Sequence, residues 1–326
     1  MRVCVVGAGA IGGLVGARLS AAGTEVSLLA RGAHLSAIRR DGLRLIEPDG
    51  SELVARDVIA SDDLSDFGPQ DTVVLALKAH QLAAVAPSLG SVLGADTTLV
   101  PMQNGVPWWF FHRFGGELEG SRLRTLDPDG VLERSIPPER LVPSIAYPAA
   151  TREGPGIIRL VEGNRFPVGE LDGSRSPRAQ AIADVLGAAG FKSRVLSDIR
   201  AHLWVKAWGN LAFNPISALT GATLGEICRD PRTRAVASAM MHEANDIAAA
   251  LGIRTRLSVE QRIEGAASIG EHRTSMLQDF EAGRELEVGP LVGAFVELGK
   301  LTATPTPTIE VVDALVSQLN ARLVSA

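Results

Sequence analysis

Aromatic residues are scarce in this chain of 326 residues, at 4 % with a single tyrosine, and cysteine is scarcer, with Cys4 and Cys228 far apart in apolar surroundings. Two such cysteines make neither a disulfide framework nor a metal spacing, so a reducing cytoplasmic setting is expected and a metal site is not. No apolar run of about 18 residues passes unbroken by charge, which leaves no segment fit to span a bilayer as a helix. A surplus of one charge is missing too: 32 Lys and Arg against 37 Asp and Glu give a net charge of −5, without long runs of either sign. No electrostatic footprint for nucleic acid or an anionic membrane is present. What is plentiful is glycine, 34 residues, in a chain whose apolar content is 46 %. The length is about twice a usual domain of ~150 residues, so two domains are expected.

The glycines cluster first at the start. Met1-Arg2 and the Ala-rich run to Ala22 have the outline of an export signal, but the four glycines from Gly7 to Gly13 suit a phosphate loop better than a membrane-inserting core. The apolar run Arg2–Val6 predicts a strand, and Gly7-Ala8-Gly9-Ala10-Ile11-Gly12 follows at once. Over residues 10–22, Ile11, Leu14, Val15 and Leu19 recur at helical spacing, Gly23 closes the segment, and residues 25–30 predict a second strand. A GxGxxG between strand and helix is a dinucleotide fingerprint: its glycines allow a tight turn, close approach to a pyrophosphate, and close helix packing. The helix N-terminus adds partial positive charge. After the second strand comes Leu29-Ala30-Arg31-Gly32, with no acidic residue to hold ribose hydroxyls. Arginine there suits a 2′-phosphate, so NADPH is expected rather than NADH.

Two further buried-strand patterns, residues 71–77 and 97–102, end in Lys78 and in Gln103-Asn104-Gly105. Ligands of open α/β sheets lie beyond the carboxyl ends of the strands, which puts Lys78 and Asn104 toward cofactor. Residues 44–59 predict a hairpin around Pro48-Asp49-Gly50 on the sheet edge. Residues 106–138 carry little periodicity; Trp108, Trp109, Phe110 and Phe111 there suit either a wall of an apolar pocket or a local satellite core. Strands are expected at 141–147, Ile157–Glu162, 165–169 and 192–196, with a helix at 177–189. From Asp198 onward only helical periodicities appear. The fold expected is α/β: a Rossmann-type dinucleotide-binding domain over residues 1–197, then an all-helical domain over residues 198–326, with a cleft between them.

Residues 199–219 read as a helix buried almost all round, through Leu203, Trp204, Val205, Ala207, Trp208, Leu211, Ala212 and Phe213. Lys206, Asn210 and Asn214 interrupt it at i, i+4 and i+8, on one stripe. Buried amides and an ammonium need a polar partner, which is either a structural network or a substrate. Burial among tryptophans would also lower the lysine pKa toward an acid–base range.

The fingerprint, Arg31, the Leu77-Lys78-Ala79 strand end, Gln103-Asn104-Gly105, the run from Leu203 to Pro215, and Ser275-Met276-Leu277-Gln278-Asp279 with Glu287 beyond it resemble the ketopantoate reductase (2-dehydropantoate 2-reductase) family from end to end. That resemblance implies NADPH-dependent reduction of a 2-oxo acid to a 2-hydroxy acid, in pantothenate synthesis when the substrate is ketopantoate. It makes Lys206 the general acid, with Asn210, Asn214 and Asn104 binding substrate and Ser275 holding its carboxylate. Glu287 would accept from the substrate hydroxyl and the nicotinamide ribose. Lys78, Asn104 and Ala150 would line the cofactor beside the glycine loop.

Departures from the family pattern fall at His272, where members often carry asparagine, in residues 220–225, which lack an asparagine, at Val288-Gly289-Pro290, where an aspartate is common, and in the long aromatic 106–138 stretch. They keep open another 2-oxo acid or a bulkier carbonyl compound as substrate. A reductase of imines or 3-oxo acids, or a non-catalytic NADPH-binding redox sensor, are the contrasting readings. The apolar helix faces of the second half suit core or interface equally, a homodimer included.

Overall fold

In the computed structural model, which describes residues 1–255 and 257–325, the chain forms two units. The first takes Met1–Gln103, Phe111–Ser121 and Gly130–Ile199; the second takes Asn104–Phe110, Arg122–Asp129 and the chain from Arg200 onward.

The first unit runs β1 (Arg2–Val6), α1 (Ala10–Ala21), β2 (Glu25–Leu29), α2 (Gly32–Asp41), β3 (Leu43–Ile46), β4 (Glu52–Ala55), β5 (Ile59–Ser61), β6 (Gln70–Leu75), α3 (Ala79–Val85), β7 (Leu93–Pro101), α4 (Val131–Ser135), β8 (Ala149–Gly154), β9 (Ile157–Glu162) and α5 (Pro177–Ala188). Five strands form a parallel sheet in the order β5-β2-β1-β6-β7. Val3, Cys4, Val5 and Val6 of β1 are fully buried or nearly so, as a central parallel strand covered on both faces requires. The strand order reverses beside β1, so β1 and β6 open a crevice at their carboxyl ends.

A second sheet, β4-β3-β9-β8, stands apart from the first. The hairpin of β3 and β4 turns where Pro48-Asp49-Gly50 foretold, but it pairs through β3 in parallel with β9, so its expected place on the edge of the main sheet is wrong. Helix α1 packs against strands of both sheets. Its buried residues Gly12, Gly13, Leu14, Val15, Gly16, Ala17 and Leu19 cover more than one face, which is why its pattern is apolar rather than amphipathic. The strands expected at 141–147, 165–169 and 192–196 are present only as isolated bridges, Ser144 to Val168, Arg165 to Lys192 and Val168 to Val195. Pro143, Pro148 and Pro167 lack the N–H that a continuous ladder needs.

The second unit is helical: α6 (Ile199–Thr220), α7 (Leu224–Arg229), α8 (Pro231–Ala250), α9 (Val259–Ile269), α10 (Ser275–Glu281), a π-helical turn at Gly289–Gly293, α11 (Ala294–Leu301) and α12 (Pro307–Ser325). Helix starts are satisfied by side chains. Thr223 with Glu226 and Ser258 with Gln261 form capping boxes on α7 and α9, and the Glu243 carboxylate of α8 accepts from the N–H groups of Thr308 and Ile309 at the start of α12. Trp204 and Trp208 of α6 are fully buried; Trp204 packs edge-on against Phe295 at 5.2 Å, and Trp208 Nε1 donates to the Met241 carbonyl at 2.8 Å. Phe110 joins the same cluster 5.9 Å from Trp204, while Phe111 packs edge-on against Phe114 in the first unit. The aromatic run therefore fills cores. Among the described residues no helix is long and apolar enough to cross a membrane, and no group of three or more His, Cys, Asp and Glu could hold a metal ion.

Candidate active site

The glycine loop of the first unit is built backbone against backbone. A Cβ on Gly12 would lie 2.0 Å from the Gly7 carbonyl oxygen and 2.9 Å from Ala76 Cβ, so α1 can start this close to β1 only with glycine there. A Cβ on Gly9 would meet nothing within 4 Å, which makes its side of the loop open space. The Ala8 N–H is bound to the Leu29 carbonyl. Gly9 is the N-cap of α1, so the N–H groups of Ala10, Ile11 and Gly12 have no intrahelical acceptor, and no acidic residue stands in this first turn to compete for them. Open space faced by helix-terminal donors fits the pyrophosphate of a dinucleotide. Arg31, exposed, is the N-cap of α2 just past β2, where the second ribose of such a ligand falls. Lys78 is the N-cap of α3 beyond β6. Ala150 sits on β8 opposite Leu160, partly buried against the core. Gln103 ties the strand ends together, its Nε2 donating to the carbonyls of Leu75 and Leu77.

In the second unit Lys206 lies on α6, where its Nζ donates to Asn104 Oδ1 at 2.6 Å. Burial pulls the ammonium down to about 8, and the carboxylate of Glu287 acts against that fall. Glu287 is itself only 8 % exposed and stands just before the π-helical turn. The two partners are fastened to each other through the backbone: the Val106 N–H donates to the Pro290 carbonyl at 2.9 Å, and Gly105 has φ +78° with a hypothetical Cβ 2.2 Å from that same oxygen. Only glycine lets the 104–106 turn lie this close to the turn after Glu287. An ammonium whose proton is poised near neutrality, held by an amide and favoured by the charge of a carboxylate, can give that proton to an oxygen on which negative charge is developing.

Asn210 and Asn214 follow Lys206 on the same stripe of α6. Asn214 is buried and reaches Ser275 Oγ through a long 3.4 Å bond; Ser275 opens α10 and is exposed. Pro215 has no N–H for the Leu211 carbonyl, so the α6 ladder is interrupted where the polar stripe ends. The His272 carbonyl accepts from the Leu224 N–H at 3.0 Å, which anchors the segment ahead of α10 to α7. Within the second unit the structure thus gathers Lys206, Asn104 and Glu287, and separately Asn214 with Ser275. Asn104, expected toward cofactor, has Lys206 as its hydrogen-bond partner.

The sign of the Glu287 effect sets a test. A neighbouring anion favours the protonated lysine, so Glu287→Gln should let Lys206 lose its proton at lower pH. The alkaline limb of kcat/KM, expected near pH 8 from the Lys206 value, should then move down. A limb that stays in place in pH–rate profiles of the variant would separate Glu287 from the lysine.

A parallel sheet with a glycine cradle at its switch point and a helical unit carrying a depressed lysine define a nicotinamide-nucleotide-dependent oxidoreductase. The model of ketopantoate reductase PanE/ApbA matches residues 3–173, and that of its C-terminal part matches residues 198–320. A 2-dehydropantoate 2-reductase of Mesorhizobium japonicum is 52 % identical over 98 % of this chain and 98 % of its own. A crystal structure from Ralstonia solanacearum MolK2, provisionally described as a ketopantoate reductase, has a TM-score of 0.93 at 40 % identity, covering 98 % of this chain and 97 % of that one. A PanE/ApbA family ketopantoate reductase from Ralstonia eutropha JMP134 has a TM-score of 0.84 at 27 % identity, with 99 % of each chain covered. The chain belongs to the ketopantoate reductase family, and it is an NADP-dependent oxidoreductase.

Proposed function

We propose that this chain reduces the 2-oxo group of 2-dehydropantoate to the 2-hydroxy group of pantoate with NADPH. The single observation that carries the reading is the Lys206 ammonium, poised by burial and bonded at 2.6 Å to Asn104, on a helix stripe continued by Asn210 and Asn214. When bound, the nucleotide supplies the hydride that reduces the carbonyl carbon. Lys206 Nζ gives its proton to the carbonyl oxygen, neutralising the alkoxide, and is reprotonated from solvent. Asn104 holds the ammonium in place, and the carboxylate of Glu287 keeps it protonated in the ground state. Asn210, Asn214 and Ser275 offer amide and hydroxyl groups to the substrate's carboxylate and hydroxyl oxygens, while Lys78 and Ala150 join the glycine loop in holding the nucleotide. The two buried free cysteines, Cys4 and Cys228, support a reducing cytoplasmic setting. Association as a homodimer would cover Val311 and Leu315, which α12 leaves exposed.

A panel of 2-oxo acids offered with NADPH tests the reading: turnover should be greatest with 2-dehydropantoate. Binding of NADPH with no oxidation on any member would instead favour a redox sensor. Arg31→Ala should raise KM for NADPH by about 10-fold or more while leaving KM for NADH nearly unchanged, since only NADPH carries the 2′-phosphate. Equal effects on both cofactors would remove Arg31 from that contact.

A further inference from the structure

His34 is a buried polar side chain on the otherwise apolar inner face of α2, beside Leu35, Ala37 and Ile38, and only 7 % exposed. Both ring nitrogens are engaged. Nε2 lies 2.7 Å from the Ala8 carbonyl oxygen, which can only accept, and the Gly156 N–H donates to Nδ1 at 2.8 Å. These partners fix a neutral imidazole with its proton on Nε2. Burial, and more weakly the charge of Arg152, favours the same neutral form, against the pull of the Ala8 bond. The anchor behind the ring is firm, because the Gly156 carbonyl accepts in turn from the Arg44 N–H of β3.

The Ala8 carbonyl and the Gly9 N–H share one planar trans peptide, so they point in opposite directions. A group that holds the carbonyl from one side aims the N–H to the other. Gly9 is where a Cβ would meet nothing within 4 Å, and the Ala8 N–H is already spent on Leu29. We infer that His34 is a positioning residue for the cofactor: by donating to the Ala8 carbonyl it orients the Gly9 amide toward the pyrophosphate. The inference rests on the nucleotide-binding reading of the glycine loop. The same helix begins at Arg31, so α2 serves the dinucleotide twice, with a charge at its N-cap and with an orienting hydrogen bond three residues on.

Dissociation constants for NADPH and for adenosine 2′-phosphate test it, because the second ligand offers a 2′-phosphate to Arg31 but has no pyrophosphate. Asparagine places its amide near the Nδ1 position and glutamine near Nε2. His34→Asn should therefore weaken NADPH by about tenfold and adenosine 2′-phosphate by less than about twofold, and His34→Gln should recover most of the NADPH affinity. At saturating NADPH kcat should stay near the wild-type value in both. Equal weakening of the two ligands, equal behaviour of the two variants, or an unchanged NADPH constant in His34→Asn would each overturn the orienting role. Wild-type protein that does not bind NADPH would instead overturn the nucleotide-binding reading itself. Should His34→Asn melt well below the wild type, His34→Gln against a His34→Leu variant gives the same comparison of a donor present with a donor absent.

Discussion

Lys206→Ala should lower kcat by about 10³-fold, a barrier increase of about 4 kcal/mol, while the dissociation constant for NADPH stays within about twofold. In the proposed reaction the lysine supplies two things that alanine cannot: a proton for the carbonyl oxygen and a fixed positive charge where the alkoxide forms. Neither is needed to hold the nucleotide, whose phosphates are assigned to the glycine loop of the first unit. Removing the side chain leaves Asn104 Oδ1 without its donor, a cost that relief of a buried charge and the partial exposure of Asn104 to water offset, so the fold should lose little. Single-turnover rates and fluorescence titration of NADPH make the separation directly. A variant with wild-type kcat would remove Lys206 from the chemistry, and one with equal losses in kcat and NADPH affinity would make it a binding residue instead.

The second large effect is expected at Gly12→Val, which should weaken NADPH by about 100-fold or more. The Cβ would sit 2.0 Å from the Gly7 carbonyl and 3.0 Å from Val5 Cγ1, and these are β1 and the loop itself rather than the end of a flexible side chain. Relief requires α1 to slide away from β1, which swings the donors of its first turn away from where the phosphates are proposed to bind. The apo protein should melt at a lower temperature, since α1 lies in the core of the first unit. A folded Gly12→Val protein with wild-type NADPH affinity would rule out the cradle as the phosphate site. Gly9→Ala is the useful contrast: with open space around it, its effect should appear only when nucleotide is bound.

How much of this was readable from the chain depended on the range of the interactions. The β1, α1 and β2 unit was legible because strand, glycine turn and helix are specified by neighbours in sequence. The stripe of Lys206, Asn210 and Asn214 was legible because helical periodicity turns spacing into a face. What surrounds Lys206 was not. Its amide partner Asn104 lies 102 residues away, and neither spacing nor composition links them: the strand-end rule put Asn104 toward cofactor without joining it to Lys206, and only family resemblance named Glu287 beforehand. The hairpin of β3 and β4 was found but assigned to the wrong sheet, since its pairing with β9 is parallel and far in sequence. Strands drawn at 141–147 and 165–169 overlooked the prolines that reduce them to bridges. His34 carried a usable signal, a polar residue at a position of α2 where the period calls for an apolar one.

Asn104–Phe110 and Arg122–Asp129 belong to the helical unit although they fall well inside the amino-terminal half of the chain. The two units are therefore not interchangeable cassettes. A recombination joint at residue 198, natural for grafting one reductase's substrate specificity onto another's cofactor half, would hand the incoming Lys206 a foreign residue in place of Asn104 and a foreign turn against Pro290. Chimeras that move residues 104–110 together with the helical half should keep their activity where single-joint chimeras lose it. Lys206 and its amide partner form a pair across a stretch of sequence that otherwise serves the other unit.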